Sequence, residues 1–165
     1  MYDNLMNNSF WRGLDNEKAY FSEDHRGFIM NYRSNFNTLI RNLIDKKRYE
    51  DAQIVINKCL QLMPDKSIMY DHFSVQLVEF LIDLNQKANF ETMELANEIA
   101  EITSVRADEV LNYYFDEKIN NKYEIQRNLV SLNTLARAFS KTNNSDLSRK
   151  YRELFEKNYT KSSVN

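Results

Sequence analysis

Glycine and proline are almost missing from this chain: Gly13, Gly27 and Pro64 are the only ones among 165 residues. A β-rich fold of that length needs many tight turns, which draw on glycine, proline and asparagine. Their scarcity predicts long helices with few connections, with the plentiful asparagines as turn and cap residues. The single cysteine, Cys59, excludes an intramolecular disulfide; this fits a reducing compartment and is compatible with a periplasmic domain. His25 and His72 are the only histidines, and neither has a second histidine or cysteine at ligand spacing, so no zinc site is expected. No run approaches the roughly 18 apolar residues of a membrane span. The opening residues also lack a basic start followed by an apolar stretch, so neither direct membrane insertion nor a signal peptide is expected. Basic and acidic residues nearly balance, 22 against 24, with no long block of one sign. Nucleic-acid binding and a polybasic membrane patch are therefore not expected.

What is there points to one folded unit. Hydrophobic residues make up 42% and charged residues 28%, a globular rather than a disordered balance. Residues 1–22 lack helical period and scatter Tyr2, Phe10, Trp11, Tyr20 and Phe21 among asparagines and charges. They read as an extended arm whose aromatics dock it onto the rest. From Asp24 the pattern turns helical. Phe28, Ile29, Tyr32, Phe36, Leu39, Ile40, Leu43 and Ile44 recur in steps of three and four, one apolar stripe on a helix. Lys46, Lys47 and Arg48 are expected in its last turn, offsetting the helix dipole. A second helix carries Ala52, Val55, Ile56, Cys59, Leu60 and Met63 inward and stops at Pro64.

Two more helix pairs follow, over about 67–104 and 121–158, with a short extra helix expected over about 108–118. Asn143 and Asn144 make the last turn, Ser145 is the expected N-cap, and the polar KSSVN tail is expected to fray.

The first hairpin, about 24–64, fits a tetratricopeptide spacing. Counting back from Pro64, Phe36, Leu39 and Leu43 fill the large positions of the first helix, while Tyr49, Ala52, Ile56 and Cys59 follow at the spacing of the second. Small residues at 52 and 59 let the helix axes approach. The last hairpin repeats the pattern loosely, through Leu132, Leu135, Ala136 and Phe139 with Ser148 in place of alanine; the middle one has Ala96 and Ala100 but a longer connection. One hairpin cannot bury its apolar face alone. The expected fold is thus all-α: tetratricopeptide-like stacked antiparallel helical hairpins forming a short right-handed α-solenoid over 23–165, with an irregular N-terminal arm. An ordinary helical bundle is the alternative.

The runs MYDNLMNNSFWRGLDN, RGFIMNYRSNFNTLIRNLIDKKRYEDA and CLQLMPDKSIMYDHF together resemble the C-terminal region of a family of large bacterial membrane proteins of unknown function. The multi-span N-terminal part of those proteins is similar to protein O-mannosyltransferases. The resemblance is clearest from Met1 to Phe73 and weak after about Glu98. It implies a soluble portion separated from the spans and from any glycosyl-transfer chemistry, with the parent in the bacterial inner membrane and this part on the periplasmic side. It implies the parent's own membrane domain as one partner, and it carries over no catalytic residue.

The residues suggest little chemistry of their own. There is no G-x-S-x-G elbow and no phosphate-cradling glycine loop, so neither a cofactor nor an enzyme is expected. The pairs Glu23/Asp24, Glu50/Asp51 and Glu98/Glu101 read as helix-start or solvent-facing carboxylates, and Cys59 as core. Glycosylation triplets occur at Asn7, Asn143 and Asn158, as often arises by chance in an asparagine-rich chain. What remains is a binding surface. In stacked hairpins the first helices line the concave face, which here places Tyr32, Arg33, Ser34, Asn37, Arg41, Asp71, Asn133, Arg137 and Lys141 in a groove for an extended peptide. A module packing on its own membrane domain or homodimerising is a second reading. A concealed enzyme, marked by a deep pocket at Asp71 and His72, is a third.

Overall fold

The computed structural model describes residues 2–7, 11, 13–16, 18, 19 and 21–164; the side chains at 23, 24, 26 and 164 are outside that description. Seven helices and no strand occur among the described residues: α1 (Tyr2–Met6), α2 (Glu23–Asp45), α3 (Tyr49–Leu62), α4 (His72–Ala88), α5 (Met93–Asp116), α6 (Lys122–Ser140) and α7 (Ser145–Val164). The all-α expectation holds.

The helices after α1 form three antiparallel pairs, α2/α3, α4/α5 and α6/α7, and the first helices pack in the order α2, α4, α6. The middle helix, α4, touches α2, α3, α5 and α6 and is accordingly apolar around most of its circumference, burying Val75, Leu77, Val78, Phe80, Leu81, Ile82 and Leu84. At the first pair Ala52 and Cys59 are buried against a stripe of Phe36, Ile40, Leu43 and Ile44. A second, smaller core of Ala107, Leu111, Phe115 and Leu132 lies toward the far end of α5.

Several helix boundaries have a local cause. Ser22 Oγ accepts from His25 N–H at the start of α2. Lys47 turns the chain after α2 with φ +59°, and the last turn of α2 holds no basic residue; Lys46, Lys47 and Arg48 form the connection instead. Pro64 disfavours helix at the residue before it, so α3 ends at Leu62. Asp71 closes a capping box on α4: its Oδ1 accepts from Phe73 and Ser74 N–H, and Ser74 Oγ accepts from Asp71 N–H. Asn89, at φ +57°, ends that helix. Asn121 Oδ1 caps α6 through Glu124 N–H, and Asn144, not Ser145, caps α7 through Leu147 N–H.

Several sequence expectations need correction. The helix expected from Ser67 begins at His72, because 63–71 is a connection held from the side. No separate helix spans 108–118: α5 runs unbroken from Met93 to Asp116. Thr103 and Ser104 do not interrupt it, since their hydroxyls donate to the carbonyls of Ile99 and Glu101 one turn back. The tail is helical to Val164. The arm contains α1, and Trp11 is buried with its indole N–H donated to Leu5 O at 3.0 Å. Its ring meets Tyr32 edge-on at 5.0 Å and Phe36 at 5.7 Å. Phe10 and Tyr20, expected as further anchors, lie outside the described residues.

Candidate functional site

The α3–α4 connection is held by a buried cation. Arg33 extends from α2 and is 1% exposed. Its guanidinium donates to the carbonyls of Met63 at 3.3 Å, Ile68 at 3.1 Å and Met69 at 3.1 Å. It also lies 3.2 Å from Asp71 Oδ1 and 5.6 Å from the centre of the Tyr70 ring. One side chain thereby fixes both ends of the connection and the acid that caps α4. Asn37, one turn on and 3% exposed, donates to Phe73 O at 2.9 Å.

A second tie comes from α5. Asp65 accepts from Tyr70 N–H at 2.7 Å and makes a two-pronged pair with Arg106, one prong being 2.7 Å from Nη2 to Oδ2. Burial pushes the Asp65 carboxyl up, but the Arg106 and Tyr70 hydrogen bonds and the Arg106 and Arg33 charges together bring it below the usual carboxylate range. The same hydrogen bond raises Arg106.

This scaffold walls a cavity of about 230 Å³ between the start of α4, the middle of α5 and the first turns of α6. Tyr70, Asp71, His72, Arg106, Glu124, Arg127 and Asn128 line it. Arg127 is paired with Glu124 at 2.6 Å and lies 5.6 Å from the Tyr123 ring centre. Burial lowers the His72 pKa, opposed by the charge of Asp71 and assisted by that of Arg127. Among the described residues, His72 Nδ1 and Asp71 Oδ2 are buried without a hydrogen-bond partner. Through His72, Arg127 and Ser131 the cavity adjoins an open trough of about 420 Å³ between α4 and α6, lined also by Gln76, Tyr123, Gln126, Val130 and Thr134. On its other side a bay of about 500 Å³ reaches Phe21 and Met30.

The residues expected on one concave face are divided. Arg33 and Asn37, expected at the surface, are interior, since they fall within the apolar stripe of α2. Asp71 is half-buried at the cavity wall. Tyr32 is 42% exposed but packs on Trp11. Ser34 is half-buried, and Arg41 is exposed with its guanidinium 5.1 Å from the Phe80 ring centre. Asn133, Arg137 and Lys141 are exposed on α6, where Lys141 O accepts from Gln86. The structure thus joins Arg33, Asn37 and Asp71 through the interior and leaves Arg41, Asn133 and Arg137 outside the lined cavities.

Arg106, Glu124 and Arg127, which line the cavity, were not singled out by sequence reasoning. The Tyr123–Glu124–Arg127 spacing on α6 was a usable signal, whereas the tie from Asp65 to Arg106 depends on tertiary packing. Cys59 is core: burial pushes its thiol up to about 12. Of the glycosylation triplets, Asn158 is 0% exposed and donates to Asp108 at 2.7 Å, while Asn143 is exposed.

No family model matches this chain, and neither the curated proteins nor the solved structures contain a significant match.

Proposed function

We propose that this chain is a non-catalytic interaction scaffold of tetratricopeptide-like hairpins that receives an extended segment of a partner protein between α4 and α6. The observation that supports this most is the composition of the trough there. Tyr123 is 71% and Val130 55% exposed, large apolar surfaces placed beside the amides of Gln76 and Gln126 and the guanidinium of Arg127. Amide side chains can pair with a peptide backbone while apolar surface takes alternate side chains. The order α2, α4, α6 of the first helices is that of stacked repeats, which favours the solenoid reading over an ordinary bundle.

The resemblance of the first half of the chain extends the proposal. The scaffold belongs to a membrane-bound glycosyltransferase-like parent and positions a protein for it on the periplasmic side. No helix of the described residues is long and apolar enough to cross a membrane. The cavity at Asp71 and His72 favours, as a second reading, an enzyme. Asp71 Oδ1 is engaged by Arg33 and by the α4 cap, which supports a structural duty for this carboxylate and places the enzyme second.

The test is selection of peptides from a displayed library on the immobilised chain, followed by affinity measurement on variants. Arg127→Glu and Val130→Glu are expected to weaken the selected peptides about tenfold or more, the cost of removing a central contact. Glu109→Lys, on the exposed side of α5, is expected to leave them unchanged. Equal affinity for all three variants contradicts the proposal.

A further inference from the structure

The smaller core is not sealed. Three of its members, Phe115, Ile125 and Leu129, form the floor of a second cavity of about 560 Å³, where the end of α5, the start of α6 and the end of α7 converge. Ile119, 40% exposed, completes the apolar lining from the α5–α6 connection.

The polar part of this lining is one-sided in charge. Lys118 and Lys122 contribute to it and no carboxylate does. Neither ammonium is in an ion pair with another described residue, in contrast to Lys87, Lys150 and Lys157, each of which has an acid partner. The remaining polar groups are neutral ones, among them Asn120, Gln126 and Ser162. A pocket of this size, apolar inside and cationic at its edge, selects a ligand with an apolar body and an anionic head. The body removes the exposed faces of Leu129 and Ile125 from water, and the head sits within reach of two ammoniums lacking partners.

We propose that this cavity is a binding site for a carboxylate-headed aliphatic molecule of the medium-chain fatty-acid class, its apolar lining distinct from that of the α4–α6 trough, with which it shares Gln126. Lys118 and Lys122 hold the carboxylate; Phe115, Ile119, Ile125 and Leu129 hold the chain. An aliphatic alcohol of equal length buries the same surface without the charge contact, and an aliphatic amine meets like charge.

The test titrates the isotope-labelled full chain with decanoate, decanol and decylamine below their aggregation concentrations, following amide shifts. Decanoate is expected to bind tightest, with shifts confined to the 115–129 stretch and the end of α7. Lys118→Glu and Lys122→Glu are each expected to weaken it about fivefold, the effect of one exposed charge, and added salt to narrow the difference. Leu129→Trp, which fills the cavity, is expected to abolish binding with helicity unchanged. Decylamine binding as well as decanoate, or indifference to both lysine variants, overturns the proposal. So does concentration-dependent dimerisation that covers Ile119 and Leu129, which assigns the face to a second copy of the chain.

Discussion

The guanidinium of Arg33, on α2, lies 3.2 Å from the Asp71 carboxylate that caps α4, and the same guanidinium donates to three carbonyls of the connection before it. The first two helix pairs are thereby joined by a charge that is itself 1% exposed. Removing Arg33 leaves three carbonyls without its donors and the half-buried Asp71 carboxylate with only its cap hydrogen bonds. Arg33→Ala is therefore expected to lower unfolding free energy by about 3–5 kcal/mol. Arg33→Lys is expected to recover only part, since an ammonium cannot reproduce the planar fork. Urea unfolding of both variants checks this, and a cost under about 1 kcal/mol for Arg33→Ala contradicts it, being no more than an exposed pair contributes.

His72 gives the fold a pH dependence of defined sign. Burial holds its folded pKa below the ordinary 6.5, so between those two values the unfolded chain binds more protons than the folded one. Stability from this group is fully present above 6.5 and falls as pH drops through the window down to the folded value. The lowered carboxyls of Asp65 and Asp108 act in a separate window, below their ordinary 3.8. Unfolding measured at pH 7.5 and at pH 5.5 is expected to show a loss that His72→Gln reduces. An identical loss in that variant contradicts the assignment.

Trp11 is the only tryptophan, and its burial against Tyr32 and Phe36 makes it a direct reporter of arm docking. Its emission is expected to be blue-shifted and poorly quenched by acrylamide. Tyr32→Ala is expected to shift emission to the red and raise quenching while far-UV dichroism keeps its helical amplitude. Unchanged emission contradicts the packing described.

Cys59 is 1% exposed, and burial raises its thiol to about 12, so almost no thiolate is present at neutral pH. Modification by a disulfide reagent is expected to be negligible in the native chain and complete in urea, following the unfolding curve. Fast native labelling contradicts the core position.

The helical pairs were legible because their apolar period is strong and punctuated: the stripe of α2, the small residues 52 and 59, and Pro64 together mark the first hairpin. Arg33 and Asn37 were misplaced although the period contained the answer. Arg33 falls four residues after Ile29 and three before Phe36, and Asn37 three before Ile40, so both lie in the buried stripe. Position outweighs polar identity in the molecule, because carbonyls of the α3–α4 connection supply the partners of Arg33 and Phe73 O, in the first turn of α4, supplies that of Asn37. The continuity of α5 was hidden for a related reason. Thr103 and Ser104 are weak helix formers in isolation, but here their hydroxyls bond to their own helix. The cavity lined by Arg106, Glu124 and Arg127 was not legible, since it exists only where three helices and a connection meet.

The trough between α4 and α6 is the proposed partner-binding face. Its most direct test is an amide-shift map of the labelled chain saturated with a peptide selected on it. Shifts are expected to concentrate at His72, Gln76, Tyr123, Arg127, Val130 and Thr134. Shifts confined to α3 and α7, with those six residues unmoved, would contradict it.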